Sequence, residues 1–302
     1  MSSIYEIAEI VGVSPATVSR ALNNKGYINK ATKEKILKVA KELNYVPNSV
    51  AKNLRMKKTL TLGVLIPNIE NPFYPTYVRG IQDIAEANNF IVAIFNTDSK
   101  GEKELYYLRI IEERQFEGII VGREGWSKEG DKYLNHLSKK GVIIISIGHR
   151  IEGVDRVLVD TEQGAYLAAL YLLRSGYHRI AFIGAPLSKN IGSGRLRGYK
   201  RALEEWGVTI DTDLVVEGDL TENCGYNITK NLLSLLNRPD AILAVNDVVA
   251  IGSILAAKEL KITVPEDLGI VGFDNIRESA LVIPSLTTVA QPSYEMGKIA
   301  CE

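Results

Sequence analysis

The stretch IYEIAEIVGVSPATVSRAL, residues 4 to 22, constrains the fold more than any other part of the chain. Ile4, Ile7, Ala8 and Val11 recur at i, i+3, i+4 and i+7, which is one apolar face of a short helix. Gly12 ends that helix. Ser14 suits an N-cap, and Pro15 at the first helical position has no N–H to leave unpaired. Val18, Ala21 and Leu22 supply the buried face of a second helix, whose other face offers Thr17, Ser19 and Arg20. Short polar groups and a guanidinium suit phosphates and base edges. Two short helices joined by a glycine-containing turn predict a helix-turn-helix, whose second helix enters the DNA major groove. An ordinary helical hairpin would share these two helices, so the surrounding charge has to separate the readings.

That charge is uneven. The 302 residues carry 36 Lys+Arg and 36 Asp+Glu. Residues 1–58 hold 11 basic and 4 acidic residues, net +7, and the remainder holds 25 and 32, net −7. A compact basic head on an acidic body is the footprint of nucleic-acid binding, because neutralising phosphates releases counterions. The head continues with Asn29, expected to cap a third helix running to about Asn44 with Ile36, Leu37, Ala40 and Leu43 on its apolar side. Tyr45-Val46-Pro47 stops it, since the residue before proline is pushed out of the α region. Residues 48–55, NSVAKNLR, would make a helix too brief to be stable alone. They are expected to form one only against DNA or a partner, and MKKT at 56–59 reads as a basic linker.

Length and 46% hydrophobic content allow two or three domains. No run of 18 apolar residues offers a membrane span, and the opening MSSIYEIAEI lacks the features of a signal peptide. Cys224 and Cys301 lie far apart without metal-site spacing and fit reduced thiols, so a cytoplasmic location is expected. His136, His149 and His178 have no triad-like or metal-like neighbours in sequence. Neither GxxxxGK[ST] nor GxSxG occurs, and GSGRLRG at 192–198 lacks the lysine-hydroxyl pair of a phosphate loop. No enzyme, cofactor or metal site is therefore expected. A secreted sugar-binding protein would share the body of this chain but not its basic head.

In the body, apolar runs at Leu60–Ile66, Ile91–Phe95, Gly118–Val121, Val142–Ile147, Ile180–Ile183, Ala241–Val245 and Leu268–Gly272 alternate with helical periods such as Tyr77–Ala87. This alternation predicts parallel sheet covered on both faces. Residues 60–302 exceed what one such sheet needs, so two similar α/β lobes are expected. Ligands bind beyond the carboxyl ends of parallel strands. That rule selects Asn71, Phe73, Tyr74, Asn96, Asp98, Arg123, His149, Arg150, Asp160, Asn246, Asp247, Phe273 and Asp274. Carboxylates, amides and a guanidinium together suit a polyhydroxylated ligand, because each hydroxyl both donates and accepts. Each Asp or Asn taken singly also fits a helix N-cap, above all Asp160 and Asp247.

IYEIAEIVGVSPATVSRALN, followed by ATKEKILKVAKELNYVPNSVAKNLR, resembles the head and hinge of the lac repressor (LacI/GalR) family of bacterial transcription regulators. The resemblance extends through the body to the end of the chain. It implies a small all-α helix-turn-helix head at 1–46, a hinge helix and linker at 47–59, and an effector-binding domain at 60–302. The two lobes of that α/β domain, of the periplasmic-binding-protein type with parallel sheets, would be 60–159 plus 289–302, and 160–288. The resemblance also implies DNA contacts residue by residue. Pro15, Ala16 and Arg20 would read bases, with Arg20 carrying much of the readout because it can bond a guanine bidentately. Thr17 and Ser19 would contact phosphates beside Ser14; Asn48, Ala51, Lys52 and Leu54 would serve the hinge, Leu54 as a minor-groove wedge.

For the effector it implies Arg195 in NIGSGRLRGY, the pair Asn246 and Asp247 in AVNDVVA, Asp274 in GFDN, and Phe73 and Tyr74 in NPFY, to which the strand-end rule adds His149. Lys189 and Ile191 would set specificity, and Leu220 in GDLTE sits where some members present a stacking aromatic. The function implied is a repressor that binds palindromic double-stranded operator DNA as a homodimer and answers to a small sugar-like effector. A corepressor-type regulator responding to a nucleobase, a sugar phosphate or a protein partner is the alternative that Leu220 leaves open. The closing EMGKIACE reads as the opening of a helix that family members continue, so the chain is expected to be short at its C-terminus.

Overall fold

The computed structural model describes residues 3–24, 26–45, 59–123, 127–148, 150–185 and 190–302, with the side chains of Asn190 and Ile191 excepted. The chain divides into two compact units, Met1–Thr59 and Leu60–Glu302.

In the first unit, α1 (Ile4–Val11) starts at Ser3, whose side chain accepts from the Glu6 amide. It stops at Gly12, φ +75°, where a left-handed backbone costs a glycine nothing and its N–H closes on Ala8 O at 2.9 Å. The second helix, α2 (Pro15–Leu22), is capped by Ser14, whose Oγ accepts from Thr17 N at 3.2 Å. Asn29 caps α3 (Lys30–Glu42) by accepting from Ala31 N at 2.9 Å. Ile7, Ala8, Val18, Ala21, Ile36 and Ala40 meet in one small core, with Leu43 half-buried against it. Leu37 is a correction: it is 44% exposed, because one position beyond Ile36 is a turn of about 100° away from the packed face. The hinge residues Asn48, Ala51, Lys52 and Leu54 lie outside the described residues.

The second unit holds two parallel five-stranded sheets. The first runs β2-β1-β3-β4-β5, from β1 (Thr61–Ile66), β2 (Ile91–Asn96), β3 (Gly118–Gly122), β4 (Ile143–Ile147) and β5 (Asp155–Val157). The helices α4 (Phe73–Ala87), α5 (Gly101–Glu113) and α6 (Lys128–Lys139) connect its strands. After β5 the chain passes through α7 (Thr161–Arg174) to the second sheet, which repeats the same winding. That sheet comprises β6 (Ile180–Gly184), β7 (Val215–Glu217), β8 (Ala241–Ala244), β9 (Gly269–Asp274) and β10 (Thr287–Ala290). Its strands are joined by α8 (Asn190–Trp206), α9 (Glu222–Leu233) and α10 (Asp247–Glu259), the connection from β9 to β10 apart. Each sheet has one apolar cluster on each face, as an all-parallel sheet requires.

Val289 and Ala290 pair with Phe273 and Asp274, so the second sheet holds the chain as far as Ala290. The last helix, α11 (Ser293–Cys301), then returns to the first lobe and buries Met296 and Ala300 among α4 and β1 residues. Two glycines make that return possible. A Cβ on Gly80 would collide with Tyr294 O, and one on Gly297 with Tyr77 O, so α4 and α11 touch backbone to backbone.

The apolar runs read from the sequence correspond to β1, β2, β3, β4, β6, β8 and β9, each within two residues at either end. Strands β5, β7 and β10 were not anticipated. Each has only three or four residues, lies at a sheet edge and contains no fully buried position, so none presents an apolar run.

Candidate functional site

On the head, the positions proposed for DNA lie on an accessible face. Ser14, Ala16 and Arg20 are exposed, and Pro15, Thr17 and Ser19 are half-buried, while Val18 and Ala21 turn into the core. Ser14 is occupied as the cap, and its hydroxyl also meets that of Thr17 at 2.9 Å. Tyr5 and Tyr27 are exposed as well, Tyr27 almost fully.

In the body, the carboxyl ends of both sheets border one cavity of about 850 Å³, part of it open to solvent. Phe73, Tyr74, Arg195, Leu220, Asn246 and Asp274 all line it. In each sheet the strand order reverses beside the first strand, between β1 and β3 and between β6 and β8. Such reversals open crevices at strand ends. Asn71 follows β1 and Arg123 follows β3; Asn246 follows β8 and Arg195 comes from the helix after β6.

The second lobe contributes a linked polar group. Arg195 is buried; its Nη1 donates to Val245 O at 2.5 Å and its Nη2 to Asp274 Oδ1 at 3.2 Å. The guanidinium stacks 4.1 Å from the Phe273 ring centroid. Gln291, just past β10, donates to Asp274 Oδ1 at 2.6 Å. Asn246 combines two roles, since it lines the cavity while its Oδ1 caps α10 by accepting from Val249 N at 2.9 Å. From the first lobe, Phe73 and Tyr74 meet edge to face with centroids 5.3 Å apart. Asn71 Oδ1 holds the start of α4 by accepting from Phe73 N. Burial pushes the Tyr77 phenol well above its usual range, with its hydroxyl directed at Leu65 O.

Other strand-end residues do structural work away from the cavity. Asp160 caps α7 through Gln163 N at 2.8 Å. Asp247 is fully buried and accepts from Ile276 N, Ser279 Oγ and Thr288 Oγ1 at 2.9, 2.7 and 2.5 Å. Asn96 accepts from Ile69 N, and Asp98 pairs with Lys103. His149 and Lys189 lie outside the described residues, as does the side chain of Ile191. Thr161, Gln291 and Met296 line the cavity without having been anticipated. Gln291 follows the unrecognised strand β10, while Thr161 and Met296 sit on helices that begin where the chain crosses between lobes. Tyr77 of α4 also lines it while packing into the core of the first lobe.

A helix-turn-helix head joined to a two-lobed body with paired parallel sheets defines a DNA-binding regulator built on a ligand-binding type of fold. Comparison with known proteins agrees at both ends of the chain. Residues 3–48 match the profile of bacterial regulatory proteins of the lacI family, and residues 169–302 match that of the periplasmic binding protein-like domain. The chain is 38% identical to catabolite control protein A of Priestia megaterium, over 99% of this chain and 90% of that protein. It is similar to the crystal structure of the lac repressor dimer bound to operator and the anti-inducer ONPF, with TM-score 0.86 and 26% identity, over 99% of this chain and 90% of that one. A LacI-family regulator from Enterococcus faecium with bound ribose matches at TM-score 0.72 and 32% identity, over 80% of this chain and 87% of that one. The chain belongs to the lacI family of bacterial transcription regulators, which are not enzymes.

Proposed function

We propose that this regulator is a repressor that binds a palindromic operator as a homodimer and is released from it by a small sugar-like effector in the interlobe cavity. The observation that carries the effector reading is the Arg195–Asp274 pair beside Asn246, set across the cavity from Asn71, Phe73 and Tyr74. A sugar hydroxyl can accept from a guanidinium or amide and donate to a carboxylate, so this mixture serves a polyhydroxylated ring. The ribose seen in the Enterococcus faecium relative and the operator-bound lac repressor dimer support the sugar class and the dimer. On the head, Arg20 with Pro15 and Ala16 would face the bases, and Ser14, Thr17 and Ser19 the phosphates. Dimerisation follows from geometry, because one recognition helix spans too few base pairs and two-fold sites need two heads. Such a regulator works where bacterial DNA is, in the cytoplasm. The hinge role read for Asn48, Ala51, Lys52 and Leu54 belongs to the same proposal.

A corepressor answering to a nucleobase is the second reading. The Phe73–Tyr74 pair in the cavity wall favours it, since aromatic rings stack on bases as well as on sugars. Thermal-shift screening of the full chain against sugars and nucleobases decides between them, because a specific ligand raises the melting temperature by mass action. Stabilisation by sugars that disappears in Arg195→Ala is the expected result. Stabilisation by nucleobases alone would replace the first reading with the second.

A further inference from the structure

The chain passes between the lobes from β5 to α7 and again from β10 to α11. The second crossing is short. Ala290 still pairs with Asp274 in the second sheet, and Ser293 already begins the helix that packs on the first lobe, so Gln291 and Pro292 make the whole span. The proline ring fixes one dihedral of that span, φ −78°, and restricts the residue before it. Ala290 and Pro292 are exposed, so neither neighbour of Gln291 holds the span by packing into a core. Gln291 holds it by hydrogen bonds instead. Its N–H donates to Asp274 O at 3.4 Å and its Nε2 to Asp274 Oδ1 at 2.6 Å, while its own carbonyl accepts from Ser293 N at 2.8 Å. One residue thus joins the end of β9 to the start of α11.

The oxygen that Gln291 grips is the one that Arg195 Nη2 reaches at 3.2 Å. We propose that Gln291 is a positioning residue for the effector response: by binding the same carboxylate oxygen as Arg195, its amide ties the angle between the lobes to the state of Asp274. The proposal rests on the cavity being the effector site. A ligand group that bonds the Asp274 carboxylate competes for lone pairs that Gln291 and Arg195 already use. Whatever moves that carboxylate moves the anchor of a two-residue crossing. Hinges are short segments of this kind, in which a few residues absorb the dihedral change that swings a lobe. The first crossing leans on the same pair. A Cβ on Gly194 would lie 2.7 Å from Thr161 Oγ1, so the start of α7 sits against the residue beside Arg195. Gln291 therefore acts through Asp274, and its part is to transmit rather than to hold the effector.

Double electron–electron resonance between nitroxide labels on two exposed positions, Lys132→Cys on α6 and Glu204→Cys on α8, reads the distance between the lobes. The full chain carries Cys224→Ser and Cys301→Ser, and labelled chains are diluted with unlabelled ones so that only distances within one protomer count. Because Gln291 also borders the cavity, the measurement is made without ligand. Gln291→Leu is expected to shift the mean distance by about 2 Å or more, or to broaden its distribution beyond that of the wild type, with cooperative melting retained. Gln291→Asn, whose amide is one methylene too short to reach Asp274, carries the same expectation and stands alone if the leucine variant does not fold. Asp274→Ala should shift the distance in the same way. Gln291→Leu/Asp274→Ala should add nothing to either single change, since both break one connection. Distributions that superimpose on the wild type in every variant overturn the proposal, as does a Gln291 effect that adds in full to that of Asp274→Ala. A lower melting temperature with unmoved distances makes Gln291 merely structural and overturns it too. All of these outcomes leave the effector cleft to the thermal-shift screen, which tests it separately.

Discussion

At the scale of single residues, the body depends on polar groups that are buried for different reasons. Asp274 reaches the cavity from a backbone with φ +117°, and Asn275 follows at +57°, a region that side chains other than glycine adopt at a cost of about 1–3 kcal/mol. Asp247 holds that turn from below through Ile276 N, Ser279 Oγ and Thr288 Oγ1. Burial pushes the Asp247 carboxyl above its ordinary range, although the Ser279, Thr288 and Ile276 donors pull it down. A carboxyl whose folded pKa is raised contributes stability that is full below its unfolded pKa and lost as pH rises through the folded value. Asp247→Asn cannot undergo that loss, and its amide can donate to the Thr288 hydroxyl while its oxygen keeps the other two bonds. The melting temperature of the variant relative to wild type should therefore improve as pH climbs through the acid range and level off above it. Parallel melting curves at every pH would show that Asp247 titrates as it does in the unfolded chain. On the head, Arg20 is the exposed guanidinium of α2. Arg20→Ala should cost roughly 1–3 kcal/mol on a selected palindromic duplex and relax base preference at one position per half-site. Fluorescence anisotropy showing equal loss on random DNA would make Arg20 a phosphate contact instead.

At the scale of elements, helix contacts rather than strand pairing attach the last part of the chain. α11 follows the second sheet yet belongs to the first lobe, held there by the reciprocal close approach at Gly80 and Gly297. Gly297→Ala must push α11 away from α4 and should destabilise the body by roughly 2–3 kcal/mol, read as a lower melting temperature. Ser14→Ala removes the cap of α2 and should cost the head about 1 kcal/mol, with weaker binding to every DNA sequence tested by anisotropy. A head variant with unchanged melting would mean that Pro15 alone suffices to start the helix. The central strands were legible because burial on both faces demands continuous apolar runs, as in Ala241–Ala244. The short edge strands such as Asp155–Val157 are largely solvated and, unlike the longer edge strand β2, carry no such signature, so they emerge only from pairing. The site divides the same way. The strand-end rule and the family resemblance together pointed to Asn71, Asn246 and Asp274, but Gln291 depends on a strand that sequence did not reveal. The rule also gathered Asp160 and Asp247, which sequence alone could not separate from cleft residues, because a cap and a ligand contact use the same side chains at the same strand ends.

At the scale of the whole molecule, the proposal that a cleft ligand controls DNA binding makes a thermodynamic demand independent of structure. A ligand can shift operator affinity only by binding one arrangement of the two lobes more tightly than another. The cavity is bordered by both lobes, with Phe73, Tyr74 and Arg123 on one and Arg195, Asn246 and Asp274 on the other, so its occupancy is sensitive to how far apart they stand. Coupling of this kind is reciprocal: if ligand weakens operator binding by some factor, operator must weaken ligand binding by the same factor. Typical couplings of about 1–3 kcal/mol correspond to roughly 5- to 150-fold. We therefore expect a sugar identified by thermal shift to lower the affinity for a selected palindromic duplex by a factor in that range. Titration of the same sugar into the preformed DNA complex should then give a dissociation constant raised by an equal factor. Arg195→Ala or Asp274→Ala should remove both effects together, since each reports one shared equilibrium. A sugar that tightens the complex would reverse both signs and make the protein a corepressor-type regulator. A sugar that binds equally well with and without DNA would break the link between cavity and head, whatever its affinity.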